Sequence, residues 1–426
     1  MLAVVGAFAG TACHSKSRPA GPDANRTAAT IVSRGGPVSP ARFSRPLAAI
    51  RAPGSVTLIA GLVVPSSAIA LTALGADGAT RWTHDVITGV VWSANATLSV
   101  LPSKGGAIVV WRGLRGGQEV TVAVNVSLDG KIDGEPYPVG AAACVTETDL
   151  AWVDHGPKGT WLVWTRAFGA ATSVVDLTLP EDRDPAMLCG TRTVFALGAG
   201  DDDVTLSTVG ATPHATPLRV QKDADFRGDE ERGHEVYAVG DALGIVRFGL
   251  SGSVATREVV GRELAAWRRF GKKLALGDDL ALVDADVRNA VLVYTHDPAA
   301  GSDDGGSTVE AFVWERSGTR EASQTIAPAD ASRVRGPFWS GAVPGGIVVG
   351  WAERGAHADA GHAPILGMAY RVVSVDAVGD LHRLEQPADE LVDAGCDDAR
   401  CYAVALARAA GEDGGQPEVA AVLAYP

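Results

Sequence analysis

Three stretches of the chain share one pattern: CVTETDLAWV (Cys144–Val153), CGTRTVFAL (Cys189–Leu197) and CDDARCYAVA (Cys396–Ala405). Each begins with Cys, continues for five residues, and then has a Leu or aromatic residue, an Ala and another apolar residue. LALGDDLALV (Leu274–Val283) has the same pattern with Leu in place of Cys. A supersecondary unit that recurs every ~40–50 residues indicates a repeat architecture.

Short apolar runs follow these stretches, among them WLVW (161–164), AVLVY (290–294) and GIVVGW (346–351). They are rich in β-branched and aromatic residues and are bounded by Gly, Asp and Pro, which is typical of strands. Many are apolar on both sides, so we expect both faces to be covered. The best helix candidate, GRELAAWRRF (261–270), is short. The sequence therefore predicts an all-β chain.

Radial repetition of four-stranded sheets covers each sheet and leaves few open edges. The pattern favours a β-propeller over residues 55–426 with seven four-stranded blades, and six or eight blades are alternatives. We expect SVTLIAGLVV (55–64) and EVAAVLAY (418–425) to share one blade that joins the chain ends. Two β-sandwiches are the other possible architecture, but the repeats continue through the chain without a linker.

One segment, LTALGADGATRW (Leu71–Trp82), resembles the blade repeat of pyrroloquinoline-quinone-type propellers. In that family an Asp-Gly turn is followed by a Trp that docks on the next blade, and Asp77, Gly78 and Trp82 match this pattern. The adjacent-cysteine pair of the family's dehydrogenases is absent. The resemblance implies the architecture only, and no cofactor is predicted.

The N-terminus has the features of an export signal. Leu2–Ala9 is apolar, and the Gly10-Thr11-Ala12-Cys13 that follows resembles the lipobox of bacterial lipoproteins, in which the cysteine is acylated. It departs from that family at Gly10, where Leu is usual, and in having no Lys or Arg before Cys13. We predict a signal peptide over residues 1–13 with lipidation at Cys13. An ordinary cleaved signal is the alternative, and both place the chain in or outside a bacterial cell envelope, lipid-anchored to the membrane or secreted.

Residues 14–54 are rich in Pro, Ala and Arg and lack sustained periodicity. Such a composition buries little apolar surface, so we predict a disordered tether between the anchor and a domain that starts at residue 55. The whole chain has a net charge of −13, which argues against a nucleic-acid partner.

Five cysteines are present, and four remain if Cys13 is lipidated. An even number in an exported chain is compatible with two disulfides. Cys396 with Cys401 is the easiest pair to close, which leaves Cys144 with Cys189. A zinc site or free buried thiols are alternatives.

No nucleophile elbow, zinc-protease helix or phosphate-binding loop is found. His357, Asp359 and His362 lie in a Gly- and Ala-rich loop that is not preorganised for a metal. The acidic runs 201–203 and 303–304 and the Arg227-Gly228-Asp229 tripeptide are interpreted as surface turns. We therefore assign no catalytic, cofactor-binding or metal-binding residue.

Eight of the ten tryptophans fall into two groups. Five in predicted strands are interpreted as blade-packing residues: Trp111, Trp161, Trp164, Trp314 and Trp351. Three near predicted loops are candidates for an exposed stacking platform: Trp92, Trp267 and Trp339.

The leading functional hypothesis is a binding or scaffold module for a protein or glycan partner. The alternative is a secreted propeller enzyme (a hydrolase, lyase or quinone-dependent oxidoreductase) with an active site in its channel. The candidate loop residues for that site are His84, His155, His214 and His296.

Overall fold

The computed structural model describes the chain in segments. These are residues 29–33, 36–52, 56–63, 66–75, 79–91, 93, 95–140, 142–147, 149–155, 161–167, 172–177, 186–199, 203–209, 217–221, 231–260, 263–275, 280–296, 308–330, 332–355, 364–384, 390–396, 401–408 and 417–424. Within them the regular secondary structure is all β-strand, as predicted. None of these segments contains a helix long and apolar enough to cross a membrane.

The strands, in chain order, are β1 (Ala29–Ser33), β2 (Gly36–Ala52), β3 (Val56–Val63), β4 (Ala68–Leu74), β5 (Thr80–Thr88), β6 (Val90–Val91), β7 (Thr97–Ser103), β8 (Gly106–Arg115), β9 (Gln118–Ser127), β10 (Ile132–Pro138), β11 (Ala142–Val145), β12 (Asp149–His155), β13 (Trp161–Ala167), β14 (Thr172–Leu177), β15 (Ala186–Cys189), β16 (Val194–Ala199), β17 (Asp203–Val209), β18 (Pro217–Gln221), β19 (Glu231–Val239), β20 (Ala242–Gly249), β21 (Val254–Val260), β22 (Glu263–Leu264), β23 (Arg268–Arg269), β24 (Leu280–Ala285), β25 (Asn289–His296), β26 (Thr308–Glu315), β27 (Glu321–Ala327), β28 (Arg333–Val343), β29 (Gly346–Gly355), β30 (Ile365–Val373), β31 (His382–Leu384), β32 (Glu390–Cys396), β33 (Cys401–Arg408) and β34 (Pro417–Ala424).

These strands form seven sheets, numbered here along the chain. Sheet 1 has eight strands in the order β32-β33-β34-β1-β2-β3-β4-β5. The others are sheet 2 (β6 to β10), sheet 3 (β11 to β14), sheet 4 (β15 to β18), sheet 5 (β19 to β23), sheet 6 (β24 to β27) and sheet 7 (β28 to β31). In sheets 3, 4, 6 and 7 the strand order follows the chain order, which is the meander of a propeller blade.

The chain divides into two compact units. The middle unit is Val139–Asp279 with Val283–Val287, and the terminal unit includes Gly10–Pro138, Leu280–Leu282 and Arg288–Pro426. Inside each unit the first strands of successive blades pack side by side. They are β11, β15 and β19 in the middle unit and β28, β32, β2 and β7 in the terminal unit.

Successive four-stranded meanders with adjacent first strands confirm the predicted β-propeller class. Sheet 1 contains twice the strands of one blade, so the number of blades stays a prediction.

The two ends of the chain lie in sheet 1. β34 pairs antiparallel with β33 and parallel with β1, where Thr30 lies opposite Glu418. β1 in turn pairs antiparallel with β2, and β2 with β3. The two segments expected to share a blade, around β3 and β34, are therefore in one sheet, with β1 and β2 between them.

The predicted tether over residues 14–54 requires a correction, because β1 and β2 lie inside it. The end of β2 belongs to the hydrophobic core, with Ile50 1% and Ala52 2% exposed. The pairing of β2 with β3 shifts register between Ser44 and Leu47, and this irregularity accommodates Pro46. The signal segment 1–13, with Cys13, and residues 14–28 of the tether lie outside the described residues.

Alternate residues of a strand cover opposite cores, which explains runs that are apolar on both sides. On β16, Val194 and Ala196 pack into the core shared with sheet 3. Phe195 and Leu197 pack into the core shared with sheet 5. The terminal unit repeats this plan between sheets 1 and 2 and between sheets 6 and 7.

Three of the five predicted blade-packing tryptophans are confirmed as buried. Trp111, Trp314 and Trp351 are at most 1% exposed. Trp161 and Trp164 lie on β13, and their side chains are outside the description.

The predicted disulfide between Cys144 and Cys189 is present, with a Cα–Cα distance of 5.6 Å. It joins β11 to β15 and therefore links sheets 3 and 4. Cys396 and Cys401 lie directly opposite each other in the register of β32 and β33. That register is compatible with the second bond, which stays a prediction.

Candidate functional site

Charged side chains converge at one end of sheet 7, and we call them the arginine cluster. It comprises Arg333, Arg335 and Arg383 with the carboxylates of Glu353 and Asp330. Antiparallel pairing brings them together: Glu353 on β29 lies opposite Arg335 on β28, and Arg383 comes from β31. Residues far apart in the sequence thus share one end of a rigid sheet.

Glu353 is the centre of the cluster, because it contacts two of its arginines. Its side chain is only 3% exposed. Its Oε2 accepts a hydrogen bond from Arg333 Nη1. Its Oε1 lies 3.7 Å from Arg383 Nη2 and accepts a 3.4 Å hydrogen bond from Trp351 Nε1. A buried carboxylate with such partners holds the guanidinium groups in place.

The arginines keep part of their surface in solvent, because Arg333 is 33% and Arg383 47% exposed. Asp330 Oδ2 lies 3.6 Å from Arg333 Nε, and hydrogen bonds from Ser332 lower the pKa of the Asp330 carboxyl. Burial lowers the pKa of Arg335, whereas the charges of Glu353 and Asp330 act in the opposite direction. Three arginines face two carboxylates, so the cluster has one excess positive charge and can attract an anionic group.

A second group lies on sheet 5 in the middle unit. The Arg257 guanidinium carbon lies 4.7 Å from the centre of the Trp267 ring, and that of Arg247 lies 5.5 Å from it. Trp267 is half-buried against the core between sheets 4 and 5. Both guanidinium groups therefore make cation–π contacts with a ring that is only partly accessible.

Glu235 on β19 has an altered acidity. Burial raises its pKa from 4.5 to about 7, and burial is the only cause. A carboxyl group with this pKa can exchange a proton near neutral pH. Its neighbour along the same face, Tyr237, donates a 3.0 Å hydrogen bond to the half-buried Glu258, and Tyr237 itself is only 1% exposed.

The prediction that Trp339 is an exposed stacking platform is wrong. Trp339 is 5% exposed and lies over Gly350 of the neighbouring strand, where a Cβ atom would come within 2.1 Å of the ring. It contacts Tyr370 on the next strand at 6.1 Å between ring centres. Of the other two candidates, Trp267 is half-buried and Trp92 lies outside the described residues.

Trp82, matched to the docking Trp of the propeller repeat, contacts the next sheet. Its Nε1 donates a 2.9 Å hydrogen bond to the carbonyl of Leu128, in the turn between β9 and β10. Its ring stacks on His84 at 5.3 Å, and both rings lie against Gly130. This contact is the inter-blade docking that the resemblance implies.

Only two of the four candidate histidines, His84 and His155, have described side chains. The His84 ring stacks on the Trp82 ring, and His155 is exposed at the end of β12. His214 and the side chain of His296 are outside the description.

Several loop motifs also fall outside the described residues: His357, Asp359, His362, Asp303, Asp304, residues 227–229 and residues 201–202. Asp203 begins β17, but its side chain is not described. The described segments contain no group of three or more His, Cys, Asp and Glu side chains that could hold a metal ion.

The arginine cluster was missed because its members are scattered along the sequence. Glu353 did carry a signal, since it is the only acid in the strand GIVVGWAERG, whose first seven residues are apolar or Gly. A single acid in a doubly covered strand needs a buried cation partner.

A comparison with protein families finds no matching family, and a comparison with curated proteins finds no match. The chain is similar to the solved structure of a prolyl endopeptidase, with a TM-score of 0.51 and 12% identity. The similarity covers 87% of this chain and 52% of that protein, so the chain spans about half of its length.

Weaker similarities are to the β-propeller domain of the Trilobed protease from Pyrococcus furiosus and the WD40 domain of SCAP from fission yeast. Their TM-scores are 0.46 and 0.47, each at 10% identity. The former covers 76% of this chain and 94% of that one, the latter 87% and 92%. At these identities the likeness concerns the fold alone.

Proposed function

We propose that this chain is an exported β-propeller that binds an acidic group of a protein or glycan partner at the arginine cluster. The observation that carries the proposal is a pair of partly exposed arginines, Arg333 and Arg383, held by the buried carboxylate of Glu353. Guanidinium groups fixed in this way suit carboxylate and sulfate groups, which they can bind through two parallel hydrogen bonds. Strands position such a site more rigidly than loops do.

Electrostatics supports this choice. The excess positive charge of the cluster stands out in a chain of net charge −13, so it attracts an acidic ligand although the chain as a whole is acidic. The envelope location, with a lipid at Cys13 or as a secreted form, is part of the same proposal. It is tested by the intact mass of the native chain, which should begin at Cys13 and carry acyl groups.

Titration calorimetry of the full-length chain tests the binding site. One arm uses tetragalacturonate, with maltotetraose as the uncharged counterpart, and the other uses a Glu-rich peptide. We expect one acidic ligand to bind and R383S to weaken it about tenfold or more, because a charged hydrogen bond contributes about 1.5–3 kcal/mol.

R112S is the matched control, since Arg112 is exposed on β8 of sheet 2. It should leave the affinity unchanged. Equal affinities for R383S and the parent chain, or no binding of either acidic ligand, contradict the proposal.

One observation favours the alternative, a secreted propeller enzyme. The Glu235 pKa of about 7 is suited to general acid–base chemistry. On this alternative a hydrolase or lyase activity has a pH profile with a limb near 7 that disappears in E235Q. An activity whose profile is the same in E235Q excludes Glu235 as the acid or base.

A further inference from the structure

We propose that the outer edge of sheet 5 is a contact surface for a membrane containing anionic lipids. This basic edge comprises the β20–β21 turn, β21 and the segment from β22 to Lys273. It is distinct from the arginine cluster, and the proposal goes beyond the binding function proposed above.

Apolar side chains are unusually exposed along the basic edge. The described residues include seven exposed large apolar side chains, of which three lie here: Leu250 (61%), Val260 (55%) and Leu264 (37%). Ala265 and Ala266 next to them are also exposed. Such clustering marks an interaction site, whereas scattered single residues do not.

Positive charge accompanies these apolar groups. Residues 249–275 include six basic and two acidic residues, in a chain whose net charge is −13. Of the two acids, Glu258 accepts a hydrogen bond from Tyr237, and Glu263 is exposed on β22. Lys272 and Lys273 are exposed, and the Lys273 amine donates a 2.9 Å hydrogen bond to Ser251, next to Leu250.

The topology places these groups on one line. β22 and β23 each pair with β21. Leu264 on β22 lies opposite Val259, and Arg269 on β23 lies opposite Ala255. Val260 and Leu264 therefore lie at one end of β21, and Lys273 lies near the turn at its other end. At about 3.3 Å per residue, the edge along this seven-residue strand is roughly 20 Å long.

The composition of the edge favours a lipid surface over a protein partner. A stable protein interface buries about 800 Å² on each side, which is broader than one strand edge, and lysine is depleted in such interfaces. Lysine and arginine beside exposed aliphatic and Trp side chains are instead typical of membrane-interface contacts, where each basic residue is attracted to anionic headgroups. A half-buried Trp267 in the middle of the edge fits this pattern.

Vesicle sedimentation tests the proposal with the full-length chain carrying C13A, which removes the predicted lipid site. We expect binding to phosphatidylcholine vesicles with about one third phosphatidylglycerol, and little binding to phosphatidylcholine alone. K272S/K273S and V260S/L264S should each lower the partition coefficient about tenfold. K104S/K131S and V91S/V287S change residues of the same types that are exposed elsewhere, and they should have no effect.

All four double variants change exposed side chains, so equal urea midpoints show that folding is retained. Equal vesicle binding by the edge variants and the controls overturns the proposal and assigns binding to another part of the chain, of which the Arg-rich segment 14–54 is the first candidate. No vesicle binding also overturns it, and the edge charges then serve only to prevent strand-edge pairing. Binding to an acidic peptide but not to vesicles overturns it in favour of a protein partner.

Discussion

Gly244 and Gly350 occupy equivalent positions in sheets 5 and 7. Each lies on the second strand of its sheet beneath an aromatic ring from the first strand, Tyr237 and Trp339 respectively. The ring crosses the glycine and reaches the third strand, where Tyr237 meets Glu258 and Trp339 meets Tyr370. A missing Cβ therefore creates the space in which each aromatic residue is buried.

G244A tests this arrangement. A Cβ at Gly244 would lie 1.9 Å from Tyr237 Cζ, so the ring must move and its bond to Glu258 is lost. We expect a loss of about 1–3 kcal/mol in the free energy of unfolding, measured by urea titration. G105A is the control, because a Cβ there has no neighbour within 4 Å. A loss no greater than that of G105A contradicts the role assigned to Gly244.

E235Q tests the half-buried carboxyl group of Glu235. Its folded-state pKa of about 7 lies above the ordinary value of 4.5, so the native state binds this proton more tightly than the unfolded state. Stability is therefore lost as the pH rises from about 4.5 to about 7. Near pH 8 we expect the free energy of unfolding of E235Q to exceed that of the parent chain by about 1–3 kcal/mol. Near pH 5 we expect the two free energies of unfolding to be equal.

Guanidinium titrations at the two pH values measure this difference. E263Q, at an exposed glutamate, should show no pH-dependent gain. A constant difference between E235Q and the parent chain would show that the Glu235 pKa is ordinary.

For some of these side chains, the residue type and its neighbours in the sequence are enough to predict burial. Trp314 and Trp351 lie in strongly apolar runs, and their burial was predicted correctly. Trp339 was placed at the surface because its burial depends on Gly350, which only the strand register sets opposite it. Local pattern therefore gives the tendency to be buried, whereas register determines the outcome.

Neighbouring blades are joined by different elements in the two units. In the middle unit the disulfide links the first strands of sheets 3 and 4 across a separation of 45 residues. Closing a loop of this length reduces the entropy of the unfolded chain. We expect C144S/C189S to lower the guanidinium-derived stability by about 3–4 kcal/mol. A change below about 1 kcal/mol would mean that the bond adds little to blade association.

In the terminal unit Trp82 joins sheets 1 and 2 by docking against the Gly130 turn. G130A and G134A separate packing from backbone strain, because both glycines have positive φ but only Gly130 has rings against it. We expect G130A to lower the free energy of unfolding, measured by urea titration, by about 1–3 kcal/mol more than G134A does. Equal costs would show that Trp82 does not depend on this turn.

The first strands of sheet 1 show what compositional reasoning misses. β2 contains Pro37, Pro40 and Pro46, which are unfavourable in a central strand, and its segment was predicted to be disordered. A register shift next to Pro46 and the apolar end of the strand allow pairing with β3. Short-range composition does not reveal a strand whose partner supplies most of its stabilisation.

For the whole molecule, the sequence predicted the repeat, the strand class and one disulfide, since these depend on local periodicity and a few cysteines. It did not predict the arginine cluster, whose members on β28, β29 and β31 meet only through antiparallel register. It also left the number of blades open, because sheet 1 combines strands from both ends of the chain. Long-range pairing decides both features.

The central structural claim is that the two ends of the chain form one sheet of the propeller, with β34 between β33 and β1. A421P tests it directly, because Ala421 lies opposite both Val404 on β33 and Ser33 on β1. Proline removes one backbone donor, and its ring fixes φ at about −65°, which distorts the strand and weakens its pairing with both neighbours. By hydrogen–deuterium exchange we expect faster exchange in peptides that cover both neighbouring strands, residues 29–33 and 401–408. Faster exchange in 401–408 alone would contradict a sheet shared by the two ends.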